Sequence, residues 1–126
     1  MGHTFKKVSR INLERALEWH KNGLDEWSPA EWGNALAGEC GELCNVLKKI
    51  LRHDKGIQQR AVIAELGGTD DERRELLILM AADEIGDVYT YLDLVCQVLG
   101  LDMYDCIRDK FNFISEREKL PQRLSQ

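Results

Sequence analysis

Two stretches of this chain each open with a helix-start signal and then place an acid in the middle of an apolar stripe. The first begins at Ser28-Pro29-Ala30-Glu31. Ser28 suits the N-cap, Pro29 suits the first helical position, and Glu31 completes a capping box. The helix should run to about Leu51 or Arg52. The second begins at Thr69-Asp70-Asp71-Glu72, another capping box, whose acids also suit the positive end of the helix dipole. It should continue to Leu99, with Gly100 as its stop. On a wheel of about 100° per residue, Trp32, Leu36, Leu43, Val46, Leu47 and Ile50 fall within about 80° of Glu39. Glu42 lies about 60° to one side. Leu77, Met80, Ala81, Val88, Tyr91, Leu92 and Val95 surround Glu84 in the same manner, and Asp87 lies about 60° to the same side.

The rest of the chain is equally helical in pattern. There are only two prolines, Pro29 and Pro121, and β-branched alternation is absent, so strands are not expected. A helix is predicted from about Ser9 to Lys21, with Ile11, Leu13, Ala16 and Leu17 as its apolar positions and Asn22-Gly23 as its end. A short helix fits Gln58 to Leu66, ended by Gly67-Gly68, and a last long one fits Asp102 to Glu118. The fold expected is therefore all-α, an antiparallel bundle of four main helices forming one domain over residues 1–126. Residues 53–68 read as an insertion and 119–126 as a tail, of which Gln122 to Gln126 has little reason to be ordered alone. Four helices of this size with broad apolar faces would leave much of that surface open. A homo-oligomer, tetramer or dimer, is the expected remedy.

The chain has 126 residues and a formal charge of −5. That balance disfavours nucleic acid and anionic membrane as partners, since both need a basic footprint. It leaves open a small anion held through a metal. No run of 18 apolar residues exists, so no membrane span is expected. The first ten residues carry charge with no apolar run behind it, unlike a secretory signal, and a cytoplasmic location is expected. Cys40, Cys44, Cys96 and Cys106 match no common zinc spacing and read as buried small hydrophobes in a reducing compartment.

An isolated carboxylate in an apolar interior costs several kcal/mol or takes up a proton. Four facing one interior add mutual repulsion, so a positive charge must compensate. Residues three apart on a helix are neighbours, and two such pairs on facing helices make a compact oxygen cage. Hard divalent cations, Mg²⁺ or alternatively Mn²⁺, favour that donor set. Other chemistries lack their residues. No Glu-x-x-His pair, P-loop or Gly-rich dinucleotide turn occurs, and His3, His20 and His53 fall at helix ends or in loops. An all-carboxylate Mg²⁺ site without a dedicated nucleophile most naturally handles phosphates.

The segment Trp32-Gly33-Asn34-Ala35-Leu36-Ala37-Gly38-Glu39-Cys40-Gly41-Glu42-Leu43, followed by Lys48-Lys49, resembles the first half of the MazG-like, all-α nucleoside triphosphate pyrophosphatase family. Asp83-Glu84-Ile85-Gly86-Asp87-Val88 resembles its second half, and Lys110-Phe111-Asn112 with Ser115-Glu116-Arg117 its C-terminal helix. The resemblance covers roughly Trp27 to Arg117. It implies Mg²⁺-dependent hydrolysis of a nucleoside triphosphate to the monophosphate and pyrophosphate, in nucleotide pool sanitation. It implies Glu39, Glu42, Glu84 and Asp87 as metal ligands, or three of them as ligands and the fourth as the base that orients the attacking water. It also implies Lys49 and Lys110 as phosphate contacts, Asn112 as a contact to sugar or base, and Trp32 beside the base. Family members form dimers or dimers of dimers. The span between Glu42 and Glu84 is long for this signature. Two other readings stand beside this one: a helical regulatory module that binds nucleotide or metal without turnover, and an enzyme like phosphoribosyl-ATP pyrophosphohydrolase.

Overall fold

The computed structural model describes residues 2–125; Gln126 and the His3 side chain lie outside that description. Five α-helices form, and no strand occurs among the described residues: α1 (Gly2–Trp19), α2 (Pro29–Asp54), α3 (Arg60–Leu66), α4 (Asp70–Val98) and α5 (Met103–Arg117), with a 3₁₀ turn at Leu24–Glu26. Both expected capping boxes are made. The Ser28 N–H donates to Glu31 Oε2 at 2.7 Å, and the Glu31 N–H donates back to Ser28 Oγ at 3.3 Å. Those bonds hold the Glu31 carboxyl below its ordinary range. Thr69 and Glu72 repeat the exchange at 2.7 and 3.2 Å. The chain divides into two compact units, Asn34–Tyr91 on one hand and Met1–Gly33 with Leu92–Gln126 on the other.

Within Asn34–Tyr91, α2 and α4 run antiparallel. Glu39 meets Glu84 toward one end, while Arg74 clasps Asp54 through Nε and Nη2, at 2.7 and 3.1 Å, toward the other. Val46, Val62, Leu77 and Ala81 are the buried apolar residues of this unit. The segment before α4 is tied down by Arg73, whose buried guanidinium donates to the carbonyls of Gly67 and Gly68 and to Asp70.

In the other unit α1 departs from the expected reading. It begins at Gly2 rather than Ser9, and its buried positions are Asn12 and Ala16, while Ile11 and Leu17 are exposed. The reason is a polar network. Asn12 Nδ2 and Gln97 Nε2 each donate to Asp93 Oδ2 at 2.9 Å, and Gln97 Nε2 also reaches the Ser9 carbonyl and hydroxyl at 3.0 Å. Two amides thus replace water around a carboxylate that is only 1% exposed. Apolar periodicity cannot register a face built from such pairs. The tail also differs from expectation. The Leu124 N–H donates to Asn112 Oδ1 at 2.8 Å, Asn112 Nδ2 donates to the Leu124 carbonyl at 2.9 Å, and Tyr104 Oη donates to the Ser125 carbonyl at 2.7 Å. Only Cys96 of the four cysteines is buried, and Cys44 and Cys106 are exposed. No described helix is long and apolar enough to cross a membrane.

Candidate metal centre

Glu39 and Glu42 stand one turn apart on α2, and Glu84 and Asp87 one turn apart on α4. The antiparallel pairing brings three of them together: one carboxylate oxygen each from Glu39, Glu42 and Glu84 lies within 4.8 Å of the others. Asp87 stands outside that trio. Glu39 and Glu84 are half-buried, whereas Glu42 and Asp87 are exposed. The wheel anticipates this division, with one acid central to each stripe and one at its edge.

No Lys, Arg or His pairs with any of the four among the described residues. Oε2 of Glu39 and Oε2 of Glu84 are shut off from solvent and have no hydrogen-bond donor among the described residues. Such oxygens are expensive when charged. Loss of solvent raises the Glu39 carboxyl above its ordinary range, and the negative charges of Glu42, Asp87 and Glu84 raise it further. Loss of solvent likewise raises Glu84, followed by Glu42, Asp87 and Asp83. Asp87 therefore acts on both central acids through its charge.

The donor set fits a hard divalent cation. Oxygens at 2.0–2.1 Å from Mg²⁺ sit up to about 4.2 Å apart across the ion, close to the spacing already present. Two orphaned buried oxygens are what such an ion would satisfy.

The other residues singled out by sequence are placed as follows. Lys49 is half-buried on α2, two turns beyond Glu42. Trp32 is 1% exposed. Its Nε1 donates to the Leu24 carbonyl at 2.9 Å, and its ring meets Trp27 and His20 at centroid distances of 4.6 and 5.0 Å. The indole is core packing in its unit. Lys110 is exposed, with Nζ 5.1 Å from the Phe113 ring centroid. Asn112 spends its amide on Leu124. Sequence reasoning passed over Asp93, the most buried acid described, because it lies about 180° from Glu84 on the wheel, where polar neighbours hide its burial.

Comparison with protein-family models, curated proteins and solved structures finds no match for this chain.

Proposed function

We propose that the protein is a Mg²⁺-dependent nucleoside triphosphate pyrophosphohydrolase, as the resemblance to MazG-like enzymes implies. The observation that carries this reading is the trio of Glu39, Glu42 and Glu84 oxygens within 4.8 Å, two of its members holding a buried oxygen with no donor. Glu39, Glu42 and Glu84 would hold the ion, with Asp87 as the fourth donor; Mn²⁺ suits the same oxygens. When bound, the ion supplies charge neutralisation of the phosphate chain and a more acidic water. The chain's own part is positional. Helices α2 and α4 bring Glu39, Glu42 and Glu84 together with Asp87 one turn beyond Glu84, and one of the four would accept the proton of the water that attacks within the phosphate chain. Lys49 extends a positive charge from the same helix toward the phosphates.

Self-association belongs to the same proposal. Beside the stripe that carries Glu84, α4 has a second one of Ile78, Ala82 and Ile85, with Ile78 45% and Ile85 56% exposed. A helix apolar on two sides calls for two coverings. We assign the second to another copy of the chain, as dimer or tetramer.

Pyrophosphate release from a panel of common and damaged nucleoside triphosphates, with and without Mg²⁺, tests the enzyme reading. Release should require the metal and disappear in Glu39→Gln and Asp87→Asn while the helical circular dichroism persists. Full activity in either variant removes that acid from the site. No turnover in any nucleotide arm, with metal binding intact, favours the regulatory module.

A further inference from the structure

A second concentration of charge lies in the same unit and has the opposite sign. Lys48 and Arg52 stand one turn apart on α2, Lys49 lies about 60° to the side of Arg52, and Arg60 opens α3. With Gln58 and Gln59 they line a cleft of about 290 Å³ that no acid borders. None of the four cations forms an ion pair or side-chain hydrogen bond among the described residues.

Helix stability accounts for Arg52 alone. Arg52 in the last turn of α2 suits the negative end of the dipole. Lys48 and Arg52 at i, i+4 repel each other, and Arg60 stands at the positive end of α3, where a cation is disfavoured. The structure nonetheless fixes this geometry. Gln59 Nε2 donates to the Lys49 carbonyl at 2.9 Å, and the Ile57 N–H donates to the Arg52 carbonyl at 2.9 Å. Gly56, at φ +69°, allows the reversal between them, and Val62 is buried just beyond Arg60. The loop is thereby clamped to α2, and Arg60 lines the same cleft as Lys48, Lys49 and Arg52.

From this we infer that the cleft between the second half of α2 and the start of α3 is a binding pocket for a small polyphosphate, held by Lys48, Lys49, Arg52 and Arg60. Four cations with two amide side chains match a ligand with several negative oxygens, and arginine's fork suits phosphoryl groups. A single carboxylate would leave most of the positive charge unanswered. The concave shape and the overall negative charge disfavour an extended nucleic acid, which needs a broad basic surface. The polyphosphate has two conceivable sources: the terminal phosphates of a nucleotide whose metal sits at Glu39, since Lys49 is about 10 Å along α2 from Glu42, or a separate phosphorylated ligand. The inference does not depend on the enzyme reading, because the cleft needs no metal.

Inorganic tripolyphosphate, titrated by calorimetry into the full chain in EDTA at low salt, is the test. Binding is expected, weakening roughly tenfold or more in Arg52→Ala/Arg60→Ala and surviving in Glu39→Gln. Both arginines are exposed and form no ion pair or side-chain hydrogen bond among the described residues, so the double variant should keep its circular dichroism and melting profile. No binding, or equal affinity in the double variant, overturns the pocket; so does loss of binding in Glu39→Gln. A competition arm separates the sources. Tripolyphosphate displaced by a nucleoside triphosphate in Mg²⁺ points to the substrate's own phosphates, and simultaneous binding points to a separate ligand.

Discussion

At the scale of single residues, Glu39 and Glu84 matter most. Each is central to the apolar stripe of its helix, each hides one oxygen, and no base among the described residues neutralises either. Their raised pKa values have a consequence for stability. The folded chain binds these protons more tightly than the unfolded chain does. The associated stabilisation is complete below the ordinary glutamate pKa of about 4.3 and is lost as pH rises through the raised folded value. In EDTA, wild type should therefore lose stability relative to Glu39→Gln as pH climbs from about 4 to neutrality, as urea titrations at several pH values would measure. At neutral pH, Mg²⁺ should raise the wild-type Tm and leave Glu39→Gln unmoved. A stability difference independent of pH would contradict the assigned burial. The positions of these acids were legible in the sequence because the wheel sets charge against an apolar background. Asp93 was not, since its partners Asn12 and Gln97 are polar and carry no periodic signal.

At the scale of elements, the starts of α2 and α4 could be read from their capping boxes, because a cap is a local exchange of hydrogen bonds. Helix α1 could not be read so well, because its inward face is decided by α4 residues some 80 positions away in sequence. The end of the chain failed for the same reason. Asn112 offers both amide groups to Leu124, a pairing with no sequence mark. Gly68 ends the stretch before α4 at φ +66°, and a Cβ there would lie 2.5 Å from Glu72 Oε2, the acceptor of the capping box. Gly68→Ala should destabilise the fold by about 1–2 kcal/mol through the left-handed backbone alone, more if the cap opens. Thr69→Ala should cost about 1 kcal/mol. Equilibrium urea unfolding would check both, and a neutral Gly68→Ala would show that the turn relaxes freely.

At the scale of the whole molecule, the α2–α4 pairing makes one acidic patch, α2 and α3 make one basic cleft, and α4 carries one uncovered apolar stripe, all within Asn34–Tyr91. All-helical class was legible throughout, since nothing in the sequence alternates as a strand would. The stripe of Ile78 and Ile85 makes a separate prediction. Ile85→Glu should shift the chain to a smaller species in analytical ultracentrifugation while its helical content holds. An unchanged sedimentation coefficient would assign that face to something other than self-association. Metal binding by the carboxylate cluster is tested most directly by Mn²⁺ titration followed by electron paramagnetic resonance. Wild type should bind Mn²⁺ and quench the free-ion signal at near-stoichiometric protein, with Mg²⁺ competing, and Glu39→Gln/Glu84→Gln should leave the signal of the free ion intact. Equal quenching by the double variant, or none by wild type, would contradict it.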